Sequence, residues 1–338
     1  MGGRTLLAAG LFLLAACGNS PVTEPASPLR LELERHLVLG DQPGREIAFS
    51  PDGATLATSS ADGTLALWPT HARGKPRLIR QPAIASLAFS PDGASIATGS
   101  YDGAVRLWRV PDGKPIRTLR AAGTQWSVAV SPDGTQIAAG GEDKRLRIWR
   151  SADGKLLRTL PGHSLNIWKV KFSPDSRTVA TSSFDRDIRL WDAASGRPLR
   201  TLKGHAQAIV GLDFSPDGRL LASGSDDSTV RLWRLPDGAP VRTIEAGNHA
   251  YAVAFSPDGK TLATAGRARG GFGTFVHQVT GAVAAGENVR LWRVADGALL
   301  ATASEPEDAL FAAWSPDGKW LATATEAGRV SLWRVAGQ

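Results

Sequence analysis

The sequence contains one cysteine and one methionine in 338 residues. A single cysteine cannot form an intramolecular disulfide, so internal cross-links are excluded as a source of stability. The six histidines do not stand at metal-ligand spacings. We find no phosphate-binding loop, nucleotide fingerprint or zinc-protease motif, and no segment with a sustained helical period. The sequence therefore predicts a chain without helices and without a cofactor or metal.

The N-terminus has the pattern of an export signal. Arg4 precedes a short apolar run, Leu6 to Leu14, which cannot span a bilayer. The run ends in Leu14-Ala15-Ala16-Cys17, which resembles the lipobox of bacterial lipoproteins. That resemblance implies cleavage before Cys17 and lipidation of its thiol; the alternative is an incidental free thiol.

The predicted domain boundaries follow from this N-terminal pattern. Residues 1–16 are expected to form a lipoprotein signal peptide, and residues 17–29 a lipidated cysteine with a flexible Pro-rich tether. Residues 30–338 are expected to form the folded body. The lipobox resemblance also implies attachment to the bacterial cell envelope. By resemblance to enterobacterial sorting rules, Gly18 after the cysteine implies the outer membrane rather than the inner membrane.

Two short motifs recur along the body with a period of about 40 residues. The motif Ser-Pro-Asp begins at Ser50, Ser90, Ser131, Ser173, Ser215, Ser256 and Ser315. A closing Leu-Trp or Ile-Trp ends at Trp68, Trp108, Trp149, Trp191, Trp233, Trp292 and Trp333. From serine to tryptophan the spacing is 18 residues in six copies and 36 in the copy that begins at Ser256. The chain therefore contains seven repeats, one of which carries an insertion.

Each repeat except the last contains four short strand signals separated by turns. In the fifth repeat, apolar and β-branched runs cover Ile209 to Phe214, Leu220 to Ser223, Thr229 to Trp233 and Val241 to Ile244. Pro and Gly in the intervening turns supply the required backbone angles. Four strands per repeat predict an all-β chain.

The Gly-His, Ser-x-Asp and Leu-Trp signatures at this period resemble the WD40 repeat family over residues 30–338. The resemblance implies a seven-bladed β-propeller of four-stranded antiparallel blades. TolB-type propellers also carry Trp-Ser-Pro-Asp-Gly, as at Trp314 to Gly318, but the turn aspartate together with Leu-Trp favours the WD40 family. The last repeat lacks a fourth strand, so we expect the segment Leu31 to Leu39 to complete it and close the ring.

In WD40 repeats the Gly-His histidine, a strand hydroxyl, the turn aspartate and the tryptophan form a hydrogen-bonded network. The resemblance places this structural network at His163, Asp185 and Trp191, and again at His205, Asp227 and Trp233. A Ser-His-Asp hydrolytic triad is the alternative interpretation of the same residues. Near-repetition in neighbouring blades favours the structural role.

The net charge of +7 is largely periodic. Arginines recur two residues before the closing tryptophan and again in the fourth strand, as at Arg106, Arg147, Arg117, Arg158, Arg200 and Arg242. We expect a solvated rim with inter-blade pairing to acidic groups. Because the chain is expected to be exported, nucleic acid is not an expected partner.

The WD40 resemblance places the loops that follow strands two and four on one face, the top face. Aromatic residues that the repeat does not require map to this face at Tyr101, Trp126, Phe184, Trp168 and Tyr251. The insertion, residues 267–286, adds Arg267, Arg269, Phe272 and Phe275. Tyr, Trp and Arg are enriched at interface hot spots. Alternatively, Trp126 and Trp168 pack between blades and the insertion is a passive loop.

The sequence thus favours a monomeric, non-catalytic scaffold that binds a protein partner through its top face. A propeller hydrolase or lactonase working in the central channel is the second hypothesis, with only His249 and Asp308 as channel-side candidates. A purely structural envelope component is the third.

Overall fold

The computed structural model describes residues 29–38, 44–72, 74–267 and 287–337. Within these ranges the chain forms twenty-eight strands in seven four-stranded antiparallel sheets. The first strand of each sheet contacts the first strand of the next, which arranges the sheets as blades around a central channel. The predicted seven-bladed, all-β fold is confirmed. The described residues include no helix long and apolar enough to cross a membrane.

The blades follow the repeats. Blade one contains β2 (Gly44–Phe49), β3 (Thr55–Ser60), β4 (Thr64–Pro69) and β5 (Arg77–Arg80). Blade two contains β6 (Ile84–Phe89), β7 (Ser95–Ser100), β8 (Ala104–Arg109) and β9 (Pro115–Arg120). Blade three contains β10 (Gln125–Val130), β11 (Gln136–Gly141), β12 (Arg145–Arg150) and β13 (Leu156–Pro161). Blade four contains β14 (Ile167–Phe172), β15 (Thr178–Ser183), β16 (Ile188–Asp192) and β17 (Pro198–Leu202).

The remaining blades have the same layout. Blade five contains β18 (Ile209–Phe214), β19 (Leu220–Ser225), β20 (Thr229–Arg234) and β21 (Ala239–Glu245). Blade six contains β22 (His249–Phe255), β23 (Thr261–Arg267), β24 (Val289–Arg293) and β25 (Leu299–Ala303). Blade seven contains β26 (Ala309–Trp314), β27 (Trp320–Thr325), β28 (Arg329–Ala336) and the N-terminal β1 (Arg30–Val38).

The Ser-Pro-Asp-Gly turn between the first two strands is held by its own side chains. In blade one, the Ser50 hydroxyl donates to the Asp52 carboxylate at 2.5 Å, and the Ala54 and Thr55 amides donate to Asp52 and Ser50. The hydrogen bond from Ser50 holds the pKa of Asp52 below its ordinary value. Gly53 adopts a φ of 70°, which favours glycine. The repeat motif therefore encodes the turn locally.

The hydrophobic core lies between adjacent blades. The cluster that contains Trp108 of blade two also contains Leu65 and Ile79 of blade one, all less than a tenth exposed. The same sharing occurs between blades three and four, where Trp191 packs with Ile148. Each blade therefore packs against both of its neighbours and stabilises them.

Ring closure depends on β1, which pairs antiparallel with β28 along its whole length. Leu37 of β1 is 7% exposed and packs with Ile47 of blade one and Leu310 of blade seven. His36 Nδ1 lies 2.9 Å from Ser331 Oγ, which donates to the buried Glu305. Burial raises the pKa of Glu305. The prediction that residues 31–39 complete the last blade is thus confirmed, with β1 beginning at Arg30 and ending at Val38.

Two of the periodic arginines bind backbone carbonyls of the next blade, where pairing with acidic groups was expected. In the outer strands, Arg158 donates to the carbonyls of Ala194 and Ser195, and Arg242 to those of Ala295 and Asp296. These carbonyls belong to the turn before the outer strand of the next blade. The outer strand of one blade lies beside that turn, so the guanidinium bridges two blades through the backbone.

A second set of arginines acts within a blade. Arg106 pairs with Asp102, and Arg147 pairs with Asp143, each at 2.5 Å. Blades two and three lack the Gly-His histidine, and in them an arginine on the third strand holds the turn aspartate. These four periodic arginines therefore make contacts within the protein, two inside a blade and two between blades.

Candidate binding face

The first strand of every blade contains a β-bulge at its top end. The bulged residue stands five positions before the Ser-Pro-Asp serine in each copy. Bulges leave one residue outside the ladder and redirect its side chain. The seven bulged residues are Arg45, Ala85, Trp126, Trp168, Val210, Tyr251 and Leu310.

Three of these bulged residues are aromatic, and their rings meet above the channel. The centroids of Trp126 and Trp168 lie 4.7 Å apart. Trp168 of blade four also meets Tyr251 of blade six edge-on, at 5.9 Å and 89°. Because blade five stands between them, this contact reaches over the small bulge residue Val210. The bulges therefore bring aromatic rings from three blades together at the channel mouth.

Two aromatic residues from top-face turns extend this group. Tyr101 lies 6.3 Å from Trp126, and Phe184 stacks on Trp168 at 5.2 Å and 25°. These separations fall in the range of favourable aromatic pairs. All five side chains are partly buried and partly exposed. We call this set the aromatic ridge; it consists of Tyr101, Trp126, Trp168, Phe184 and Tyr251.

A guanidinium stands at each end of the aromatic ridge. Arg267 Cζ lies 4.9 Å from the ring centroid of Tyr251, and Arg45 Cζ lies 5.6 Å from that of Tyr101. Arg267 was predicted from the sequence. Arg45 occupies the same repeat position as Trp126 and Trp168, but the sequence prediction at that position covers aromatic residues alone and so omits it.

The blade-six end of the aromatic ridge is rich in paired charges. Arg267 reaches Glu326 at 3.1 Å and Asp308 at 3.7 Å. His249 Nδ1 lies 3.6 Å from Asp226 Oδ1. Burial raises the pKa of the Asp226 carboxyl and of the Tyr251 hydroxyl. The two channel-side candidates, His249 and Asp308, therefore each face an oppositely charged or chargeable partner.

Below the aromatic ridge, an ion pair crosses the channel. Lys169 Nζ of blade four lies 2.5 Å from Glu46 Oε2 of blade one, and 5.1 Å from the ring centroid of Phe311 of blade seven. One step lower, Lys171 lies 3.4 Å from Asp213, and this carboxylate raises the pKa of Lys171. These contacts are not predictable from the sequence, because Glu46 and Lys169 stand 123 positions apart and meet only once the ring closes.

The structure brings together six of the residues predicted for the partner-binding face, namely the aromatic ridge and Arg267. Arg269, Phe272, Phe275 and the lipidation candidate Cys17 lie outside the described residues. Within the described ranges, no group of three or more His, Cys, Asp or Glu side chains could hold a metal ion.

The histidine networks lie inside blades four and five and include no residue of the aromatic ridge. His205 Nδ1 lies 2.9 Å from Asp227, and its Nε2 lies 2.8 Å from Ser223 Oγ, which also accepts a hydrogen bond from Trp233 Nε1. His163, Asp185 and Trp191 repeat the arrangement through Thr181. Ser223 has no exposed surface, so no substrate reaches its hydroxyl. The connectivity resembles that of a hydrolytic triad, but the burial of Ser223 and the hydrogen bond from Trp233 favour a structural network.

Replacing Asp227 by Asn is expected to lower stability at neutral pH by about 2 kcal/mol, because the buried His205 loses a charged acceptor. Burial raises the pKa of Asp227, but hydrogen bonds from His205, Thr229 and Ala206 outweigh it and hold the pKa well below its ordinary value. This contribution is present above the unfolded-state pKa and is lost as pH falls below about 4. Urea unfolding as a function of pH should show that the variant loses less unfolding free energy at acid pH than wild type does. An equal loss in the two proteins would contradict the account.

Two family models match the chain. The model described as "WD domain, G-beta repeat" matches residues 45–69, 78–109 and 299–334. The model described as "IFT122 first beta-propeller" matches residues 124–270. Comparison with curated proteins finds no match. Together with the seven four-stranded blades, these matches identify the chain as a β-propeller built from WD40 repeats.

Proposed function

We propose that this propeller is a non-catalytic platform that binds a protein partner through the aromatic ridge of its top face. WD40 propellers are typically protein-interaction scaffolds. The observation that carries the proposal is the continuity of the aromatic ridge, in which five rings from four blades form one surface. The repeat pattern requires none of these five residues.

The physical character of the aromatic ridge suits recognition. Tyr and Trp supply large contact areas with few rotatable bonds, so little conformational entropy is lost on binding. Mutual ring contacts restrict these side chains further before a partner arrives. Beneath them, Lys169 and Glu46 already neutralise each other across the channel. This arrangement favours binding on the ridge over chemistry in the channel.

We further propose that the protein acts as a monomer held at the bacterial cell envelope, through a lipid on Cys17 and the tether of residues 17–29. The tether leads directly into β1, which completes blade seven. Lipid attachment would confine the top face to partners within reach of that membrane. Nucleic acid is not proposed as a partner, since several of the periodic arginines bridge blades or hold turns.

Cross-linked pull-down from the native host tests this function. The full-length triple variant Tyr101→Ala, Trp168→Ala, Phe184→Ala should lose at least about ten-fold in recovery of the partner relative to wild type, because these residues supply the centre of the interface. The matched control replaces three exposed aliphatic residues of the outer strands, Ile116, Leu199 and Val241, by alanine. The control should retain the partner. Equal recovery by the ridge variant would overturn the proposal.

A further inference from the structure

Arg45 differs from Arg267, the other described arginine that lies over a ring of the aromatic ridge. It forms no ion pair and no side-chain hydrogen bond with the residues that the structure describes. Its Nε is buried without a hydrogen-bond partner, while the guanidinium lies over the ring of Tyr101. The adjacent carboxylate, Glu46, is engaged by Lys169. A partly buried cation is therefore held at the channel mouth without a counter-charge from the described residues.

Two other arginines have their charge matched by carboxylates of the top face. Arg267 reaches two carboxylates, Glu326 and Asp308. Arg80 donates to Asp62 and Thr64. Among the described residues, only Arg45 combines a position over a ring of the aromatic ridge with a charge that no carboxylate pairs. The bulge in β2 accounts for its direction, since the same bulge directs Trp126 and Trp168 into the ridge.

A planar guanidinium on an aromatic ring favours a carboxylate. Its donors form a rigid fork that matches two carboxylate oxygens, and stacking fixes the plane of the fork before the anion arrives. Partial burial strengthens the attraction, because solvent screening is weaker than at an exposed site. Tyr101 and Trp126 offer an apolar surface directly beside this fork.

We propose, building on the proposed function, that Arg45 is a specificity-determining residue of the top face. Its ligand is the side-chain carboxylate of an Asp or Glu in the protein partner, next to an aromatic or aliphatic residue that packs on Tyr101 and Trp126. The opposite end of the ridge carries Asp226 and Glu326, which disfavour a second acidic group there. The partner's acidic residue is thereby directed to blades one and two.

Selection of phage-displayed random peptides on the full chain provides the probe. Peptides that bind are synthesised in two forms, one with the selected acidic residue and one with Gln or Asn in its place. Affinities are measured for wild type, Arg45→Gln, Arg45→Lys, Trp168→Ala and the control Arg109→Gln. Arg109 sits on the rim, paired with Asp112, so its loss removes the same charge away from the ridge.

The proposal predicts acidic residues beside apolar ones in the selected peptides. Arg45→Gln should lower the affinity for the acidic peptides on the order of ten-fold and reduce the salt dependence of that affinity. Arg109→Gln should leave both quantities unchanged. Arg45→Lys should recover only part of the affinity, since it keeps the charge and loses the fork. Amide-form peptides should bind wild type and Arg45→Gln alike.

Two other outcomes separate this inference from the proposed function. Peptides that need Trp168 but bind equally to wild type and Arg45→Gln would overturn the role of Arg45 and leave the aromatic ridge as the binding surface. Peptides indifferent to both Trp168→Ala and Arg45→Gln would overturn the proposed function and this inference together.

Discussion

Replacing Glu46 by Gln is expected to lower the free energy of unfolding by about 3 kcal/mol. Glu46 and Lys169 are 18% and 12% exposed at the side chain, and they meet at 2.5 Å across the channel. The variant leaves the Lys169 ammonium largely desolvated and without its carboxylate. Since the pair joins blades one and four, its loss removes a tie between opposite parts of the ring. Guanidinium-induced unfolding at neutral pH measures the effect.

The double variant Glu46→Gln, Lys169→Met is the control for this pair. Removing both charges should recover most of the lost stability, because the cost lies in the unpaired cation. Methionine keeps an apolar contact with Phe311 in place of the ammonium. A Glu46→Gln variant as stable as wild type would show that solvent already screens the pair.

Replacing Leu37 by Asp is expected to lower the free energy of unfolding by about 4 kcal/mol and to release the closing strand β1. Leu37 is 7% exposed and lies in the cluster formed by blades one and seven. A carboxylate there would be buried in an apolar site without a cation. Amide hydrogen exchange should therefore speed up along β28, whose outer hydrogen-bond partner is β1.

The neighbouring residue supplies a matched control. Val38 is 65% exposed, so Val38→Asp places the same charge one position further along β1 on the solvent side. We expect wild-type exchange in β28 for that variant. If both variants exchange alike, β1 does not depend on Leu37 to close the ring.

The repeat sequence determined most of the fold in advance. The turn at Ser50 to Gly53 is held by its own side chains, so a local motif suffices to place it. Seven such motifs fix seven blades, and the count of strands in the last repeat leaves one strand to be supplied by the N-terminus. Ring closure by β1 was therefore predictable without knowledge of any long-range contact.

The candidate site was predictable only in part. Trp126, Trp168 and Tyr251 share one position in the repeat, so the symmetry of the ring brings them together. They are recognisable in the sequence because the other repeats have no aromatic residue at that position. Arg45 shares that position but differs in chemistry. Lys169 and Glu46 lie three blades apart, and no local pattern indicates that their side chains meet. The outer arginines Arg158 and Arg242 bind backbone carbonyls, which composition cannot reveal.

Oxidative footprinting of the tryptophans, with and without the partner captured in the pull-down, tests the central claim most directly. The account predicts that Trp126 and Trp168 become protected in the complex, because the partner covers the aromatic ridge. Trp320 serves as the internal control, since it lines a cavity of about 290 Å³ among the Ser-Pro-Asp-Gly turns of the opposite face. Its oxidation should not change. Protection of Trp320 with unchanged oxidation of Trp126 and Trp168 would place the partner on the wrong face and contradict the account.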